Sequence, residues 1–464
     1  MKDVIIIGAG IAGLTAAHEL HKEKKDFQLL EPSYRVGGVI ETLELNGNLI
    51  EAGPHTFSSF SADVLDIVKD LGIQDELIEA NPNSKKRYVC MNGNLMPVPA
   101  NPQEFLQSEL LTKDAKWTLL EEFVLPLVDK EESVEAFFSR RFGRDVLKNL
   151  VQPYLNGVFA GDVKKLSANA VFPMLKELEL KHKSVGLGLL LSSLKKIFNS
   201  RKPMTLHSFK KGMEFLPNSI YEEVKNKVTL SVKDIEITRA KDFFIVTFKA
   251  NNKTINYTTN SILFAIPANK MSEYGYLFPD EYLSDFKSIE YTPVATVTQV
   301  TDKSNIKTNL DGFGFLSTYE VQKKLLGTIW TSSIFPGRVK DDKAILTSFI
   351  GGAHFKKISE LKEEEISNIV SKELAEVLGI SNPDLLKTIY IRVYEHAIPQ
   401  YNMGHLDTVK RIEKLMDTKY GIFFTGNYLR GISINDTVKS SKSAVERIKD
   451  YLKTVVKEEE VLVK

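Results

Sequence analysis

Close behind Met1, the run Val4-Ile5-Ile6-Ile7 meets Gly8-Ala9-Gly10-Ile11-Ala12-Gly13, and a new periodicity follows. A β-branched run, a glycine turn, and then Leu14, Ala17, His18 and Leu20 at helical spacing read as strand, turn and helix. Phe27-Gln28-Leu29-Leu30 is apolar again. Together they predict the opening βαβ unit of a doubly wound sheet, because two parallel strands need a crossover between them. In such a turn the first glycine allows the bend, the second lets the backbone approach a diphosphate, and the third lets helix and strand pack closely. The diphosphate rests on the helix N-terminus, where free N–H groups and the macrodipole favour an anion. Glu31 ends the second strand, the place for a carboxylate that accepts ribose hydroxyls. Gly8, Ala9, Gly10, Ile11, Ala12, Gly13 and Glu31 are therefore candidate cofactor residues.

Downstream the pattern changes character. Val39–Glu51 alternates around Asn46-Gly47 and Arg87–Val98 around Asn92-Gly93, two hairpins with turn residues that tolerate positive φ. Residues 101–200 read as helical, with Val134, Phe137, Phe138 and Phe142 three or four apart. Strand signal returns over Val228–Pro267, and Thr292–Gly352 alternates as a mostly antiparallel sheet with one buried face. A helix Glu360–Leu378, stopped by Gly379, can cover that sheet. The chain closes with strand Gly421–Phe424, a turn at Gly426-Asn427 and helix Asp436–Leu452, and Val455–Lys464 is expected to fray. The class is α/β at the start and α+β overall.

Composition narrows the partners. With 61 basic and 60 acidic residues the net charge is +1, so no global field draws in nucleic acid. The single cysteine, Cys90, excludes an intrachain disulfide and a cysteine metal cluster, and suits a reducing, cytoplasmic setting. Of the eight histidines only His18 and His21 lie close together, on the cofactor helix, so no metal set is expected. The best uncharged apolar stretch for a membrane, Ser184–Leu194, is about half the roughly 20 residues a bilayer crossing needs. Lys195, Lys196, Arg201 and Lys202 follow it, so the segment reads equally as a core helix with a solvated end or as a peripheral contact with anionic lipid on the inner face of a membrane.

The continuation Glu31-Pro32-Ser33-Tyr34-Arg35-Val36-Gly37-Gly38 resembles the second fingerprint of glutathione-reductase-like flavoproteins of the amine oxidase and protoporphyrinogen oxidase kind. Phe423-Phe424-Thr425-Gly426-Asn427, with Gly431–Asp436 after it, resembles that family's last strand, turn and helix start, which lie under the flavin. Further stretches are similar to protoporphyrinogen oxidases in particular: Lys86-Arg87-Tyr88, Gly157–Asp162 with Leu166-Ser167 and Phe172-Pro173, Gly212-Met213, and Ala397-Ile398-Pro399-Gln400-Tyr401 with Gly404-His405. Phe209-Lys210-Lys211-Gly212 departs from the double glycine often seen there, which bears on the local turn.

The resemblance spans nearly the whole chain. It implies noncovalent FAD in a Rossmann-like domain of glutathione-reductase type, an antiparallel-sheet substrate domain and a helical insertion. The expected division is 1–85, 204–280 and 391–464 for FAD, 86–100 and 281–390 for substrate, and 101–203 for the insertion. It implies cofactor contacts by Gly37, Gly38, Val39, Gly53, Pro54, His55, Thr56, Ala397, Gly426, Asn427, Ile432, Ser433 and Ile434, with Val232 at the adenine end. It also implies that Arg87 meets a substrate carboxylate, that Leu316, Ile329 and Phe349 sandwich a macrocycle, that Gly157 faces a ring nitrogen, and that His55 lies toward the substrate. By their residue types alone, Arg87 reads as a surface charge and the three apolar residues equally as sheet core.

The implied activity is oxidation of protoporphyrinogen IX to protoporphyrin IX in heme biosynthesis, by successive hydride transfers to flavin N5, with oxygen or another acceptor taking the electrons. Three alternatives stand beside it. Coproporphyrinogen III carries more carboxylates and calls for more cations than Arg87 and Lys86. An amine oxidase often anchors its flavin through a cysteine, and Cys90 lies far in sequence from the C-terminal flavin segment. A porphyrin-binding carrier would keep FAD for structure only. The oligomeric state is open, a homodimer included.

Overall fold

The structure, a computed structural model, describes residues 1–198, 204–318, 323–417 and 420–462. Lys2–Ile7 pairs in parallel with Phe27–Leu30 across the helix Ile11–Lys22, and Val4, Ile5, Ile6 and Leu14 are fully buried. A parallel strand is covered on both faces, which is why it is continuously apolar. The seven-stranded sheet runs Val228–Thr229, Phe27–Leu30, Lys2–Ile7, Lys253–Phe264, Phe244–Ala250, Lys233–Arg239, with Ile422–Phe424 also paired to Lys253–Phe264. Ile7 is in register with Leu30 and with Phe264, and Phe264 with Phe424, all in parallel. The turns that begin at Gly8, Glu31 and Thr425 therefore leave one edge of the sheet side by side. That edge is the carboxyl end of the strands, where open α/β sheets bind their ligands.

A second seven-stranded sheet runs Lys387–Pro399, Tyr291–Asp302, Lys343–Gly351, Leu325–Ile329, Gly312–Ser317, Lys86–Met91, Asn94–Pro97. It is antiparallel except between Gly312–Ser317 and Lys86–Met91. Alternation sorts its faces. Cys90, Ala295, Val297, Phe315, Leu346 and Ile350 pack with Ile366, Val370 and Leu374 of the helix Glu363–Leu378. The opposite face carries Leu316, Ile329 and Phe349, each only partly buried where its strand neighbours are buried.

Between the sheets in sequence lie short helices with their own core, among them Phe137, Phe138, Leu155 and Leu166. Fully buried Arg141 lies 2.6 Å from Glu179 and 3.3 Å from Glu122, and Lys176 lies 3.0 Å from Glu132 and 2.8 Å from Glu179. Charges taken out of water this far are tolerated because each is paired. Among the described residues no helix is long and apolar enough to cross a membrane. Arg201 and Lys202 fall outside the described residues, as do the side chains of Lys195 and Lys196.

Three expectations need correction. The last helix runs Ile434–Leu462, through the segment expected to fray, because no glycine or proline interrupts it. Residues 391–399 belong to the second sheet, since Lys387–Pro399 is one unbroken strand up to its proline. The helix Asp280–Ser288 sides with the first sheet, because Phe286 is buried in that sheet's core.

Candidate functional site

The first turn is built around missing side chains. Gly8 has φ +104°, and a Cβ there would sit 2.7 Å from the Ala265 carbonyl oxygen, while one on Gly13 would sit 1.9 Å from that of Gly8. Gly10 differs: among the described residues nothing lies within 4 Å of its Cβ position, so the backbone there faces open space. Gly10 is also the N-cap of the helix Ile11–Lys22, with no side chain bonded to the first-turn N–H groups. An uncapped helix end with clear space before it is a cradle for an anion.

The neighbouring turns close on this one. Glu31 accepts from the Ala9 N–H at 2.6 Å and the Ser33 N–H at 2.8 Å, and the Val232 N–H donates to the Glu31 carbonyl at 3.1 Å. The Gly37 N–H donates to the Ala9 carbonyl at 2.8 Å, and the Cβ position of Gly38 is 3.3 Å from the Gly10 Cα. Arg35 donates to the carbonyls of Val36, Gly38 and Ile40, folding the glycine pair back on itself. Gly53 packs against Val39, with 1.9 Å between its Cβ position and the Val39 oxygen, and Val39 itself is exposed. At the other end of the cofactor helix, a cavity of about 340 Å³ lined by Glu19, Lys22, Asp66, Asp70 and Lys442 is a separate, ion-paired groove.

From the last strand, the Thr425 N–H bonds the Phe264 carbonyl at 3.0 Å, and the chain turns at Gly426 toward a helix capped by Ser433. Ser433 and Asp436 bond each other reciprocally, Oγ to Oδ2 at 2.6 Å and N–H to Oγ at 3.1 Å. Before that cap Ile432 stays half-buried and Ser433 exposed, and Ile434 opens the helix. Ala397 sits where the register of Lys387–Pro399 shifts against Tyr291–Asp302.

On the open face of the second sheet, Phe349 is in register with Gly327 and Thr296, Leu316 with Gly327 and Val89, and Ile329 with Gly314 and Thr347. Glycines beside large apolar residues leave that face flat. Gly157, at the end of helix Gln152–Val158, packs on it: its Cβ position is 2.2 Å from Leu316 Cδ2. Arg87 shares the face of Val89 by alternation, lies over the Phe313 ring at 4.2 Å and donates to the Lys85 carbonyl at 3.1 Å.

His55 joins the two groups of residues. Its ring meets that of Phe349 edge-on, 5.9 Å between centroids. It is 6% exposed, yet among the described residues neither ring nitrogen has a hydrogen-bond partner. Desolvation, and then the nearby Arg338 guanidinium, hold the imidazole down to about 3, so it is neutral at ordinary pH. A buried polar group without a partner costs free energy unless a ligand completes it. The open space at Gly10, the free helix end, Glu31 and the unmet nitrogens of His55 together fit a dinucleotide.

Sequence reasoning missed the pair Glu51 and Arg338. Arg338 Nη1 lies 2.6 Å from Glu51 Oε1 with both side chains under 4% exposed, and Met213 N–H and Thr42 Oγ1 complete the carboxylate. Gly212-Met213 therefore serves Glu51. His18, one of the two clustered histidines, bonds Glu223 at 2.6 Å and is a packing residue.

The family of flavin-containing amine oxidoreductases matches residues 11–449. Protoporphyrinogen oxidase 1 of the Spinacia oleracea chloroplast is 30% identical across 97% of this chain and 84% of its own length. Coproporphyrinogen III oxidase of Bacillus subtilis is 28% identical across 97% of this chain and 98% of its own. Among solved structures, a protein of Exiguobacterium provisionally assigned as a protoporphyrinogen oxidase superposes with TM-score 0.79 at 23% identity, covering 96% of this chain and 98% of that one. A putrescine oxidase variant does so with TM-score 0.71 at 15% identity, covering 97% and 99%. Identities this low carry the fold alone.

Proposed function

The chain belongs to the flavin-containing amine oxidoreductases, and from that premise we propose that it oxidises protoporphyrinogen IX to protoporphyrin IX in heme biosynthesis. The observation that carries the proposal is the flat apolar face of Leu316, Ile329 and Phe349, joined through His55 to the residues that fit FAD. Near full-length similarity to porphyrinogen oxidases supports it.

Gly8–Gly13, Glu31 and Gly37-Gly38 would hold the diphosphate and ribose, with Gly53–Thr56, Ala397 and Gly426–Ile434 nearer the ring. Bound FAD supplies a two-electron acceptor that can be used three times per porphyrinogen and renewed by oxygen or another acceptor. The protein's part is placement. Leu316, Ile329 and Phe349 exclude water and hold the macrocycle flat, Gly157 lets its helix close on Leu316 because it has no Cβ, and Arg87 takes a propionate by its planar fork. Aromaticity gained by the product supplies the drive, so no side-chain nucleophile is required.

Among the described residues two arginines, Arg87 and Arg392, occupy this face. Arg392 is bonded to Glu41, whereas Arg87 donates to backbone carbonyls and can exchange them for a carboxylate. Among the described residues one arginine of this face is not held by a carboxylate, which favours protoporphyrinogen, with two propionates, over coproporphyrinogen, with four. Cys90 faces the helix Glu363–Leu378 on the opposite side of the sheet, which speaks against a cysteine-anchored flavin of the amine oxidase kind.

The test is porphyrin fluorescence under low oxygen with an added electron acceptor, run on both porphyrinogens. Turnover of protoporphyrinogen above the uncatalysed rate, with Arg87→Ala raising KM and leaving flavin bound, is the expected result. A preference for coproporphyrinogen moves the proposal to that substrate, and no turnover of either leaves a carrier.

A second surface supports peripheral membrane contact from the cytoplasmic side. Trp117, Phe123, Val124 and Leu127 are exposed, as are Leu187, Leu190 and Leu191 of the helix Val185–Phe198, and Phe123 abuts that helix at Gly186. Apolar side chains so placed suit the interfacial layer of a bilayer. Sedimentation with anionic vesicles, reduced by Leu190→Glu, is expected; no binding by the unaltered protein sinks it.

A further inference from the structure

The segment Ala397–His405 was singled out by its sequence, yet beyond Ala397 the functional proposal leaves it without a task. Gln400 and Tyr401 are neighbours, 5% and 1% exposed, and their side chains serve different parts of the site. Gln400 Nε2 donates to the Phe159 carbonyl at 2.9 Å, and to Thr292 Oγ1 and the Ile398 carbonyl at 3.1 Å each. Its Oε1 lies 2.6 Å from the Cβ position of Gly161, so the amide clasps the stretch 157–161 from one side. That stretch carries Gly157, which rests on Leu316.

Tyr401 reaches the other way. Its hydroxyl donates to the Asn427 carbonyl at 2.5 Å and accepts from the Gly431 N–H at 2.7 Å, closing the loop that leads to the Ser433 cap. Its ring stacks on His405, 4.0 Å between centroids and 12° between planes, and His405 Nε2 lies 3.1 Å from the Leu429 carbonyl inside the same loop. The Tyr401 ring also meets Phe159 edge-on at 5.6 Å. Simple core filling does not need these bonds, since leucine and phenylalanine would fill the same volumes.

We propose that Gln400 and Tyr401 are positioning residues that set the substrate-facing segment 157–161 and the cofactor-facing loop 427–431 at a fixed separation. The inference rests on the reading of those two segments given above. Consecutive Cα atoms are about 3.8 Å apart, so two loops held by adjacent residues have little slack between them. Transfer between bound partners is sensitive to displacements of about 1 Å, which makes such a tie consequential.

The experiment uses the full chain, apoprotein titrated with FAD and holoenzyme assayed with protoporphyrinogen. Tyr401→Phe keeps the stacked ring and removes the hydroxyl: apparent Kd for FAD should rise about tenfold and kcat fall about tenfold, with KM within about twofold. Gln400→Leu should raise KM about tenfold, lower kcat about tenfold and leave the FAD Kd within about twofold. His405→Phe, which keeps the stack and loses the bond to Leu429, and Gln400→Met stand in should either first variant fail to fold. Both variants moving the FAD Kd, both moving KM, or neither lowering kcat while Tm holds, overturns the proposal, as does a fall in Tm with no split between KM and the FAD Kd. An unaltered protein that turns over no porphyrinogen sinks the functional reading instead, and wild-type FAD affinity in Tyr401→Phe then still overturns the tie to the cofactor loop.

Discussion

Gly10→Ala should separate the fold from its cofactor with one methyl group. Gly10 has φ −67° and ψ 177°, a conformation alanine adopts freely, and its Cβ position has no neighbour within 4 Å. A glycine-to-alanine change at a compatible site stabilises by roughly 0.4–1 kcal/mol through the unfolded chain. Poorer N-capping by alanine offsets part of that. The apoprotein should therefore melt within about 2 °C of the unaltered protein, given how little Tm moves per kcal/mol in a long chain. FAD affinity should collapse, because the methyl stands where the diphosphate has to approach. Losing two charge-assisted hydrogen bonds at about 1.5–3 kcal/mol each raises Kd by at least about 100-fold. Quenching of flavin fluorescence in a titration of apoprotein reads the affinity, and circular dichroism reads the melt. Gly13→Ala is the contrast: its Cβ would stand 1.9 Å from the Gly8 oxygen, a backbone clash, so it should lose the fold along with the flavin. Gly10→Ala binding FAD within threefold of normal, or melting as early as Gly13→Ala, refutes the placement of the diphosphate.

Two further outcomes follow from buried charge. Arg338→Met strands the Glu51 carboxylate beside Met213 and Thr42, and should cost about 3–5 kcal/mol in denaturant unfolding; a loss under about 1 kcal/mol would mean that water reaches the pair. His55, held at about 3 by desolvation and then by Arg338, takes up its proton in the unfolded chain near 6.5 and in the folded one only near 3. Stability of the apoprotein should thus fall by about 1.4 kcal/mol per pH unit on this account as pH drops from about 6.5 toward 3. His405, lowered to about 4 by burial, adds a slope of the same sign. His55→Phe should flatten the profile by its share, and an unchanged slope would place the His55 ring in water.

What the chain reveals of itself before folding divides along contact range. The first turn is legible because strand, glycines and helix are contiguous, so Gly8, Gly10 and Gly13 carry their own context. Leu316 and Phe315 show the limit. They are adjacent, both apolar and on one strand, and alternation says only that they face opposite ways. Which face is core is decided by the helix Glu363–Leu378, whose Ile366, Val370 and Leu374 cover Phe315, and by Gly157, which arrives from the insertion to meet Leu316. Neither assignment exists until distant segments are in register. Arg338 is the extreme case, since in Phe335-Pro336-Gly337-Arg338 it reads as a loop charge, and only Glu51, 287 residues away, makes it a buried one. Tyr401 lies between these limits: its motif was recognisable, but a hydroxyl's task depends on which donor and acceptor stand opposite it, and here those are backbone atoms of residues 427 and 431. Backbone groups carry no residue signature, so the side chains that hold a site in place are harder to read from sequence than those that form it.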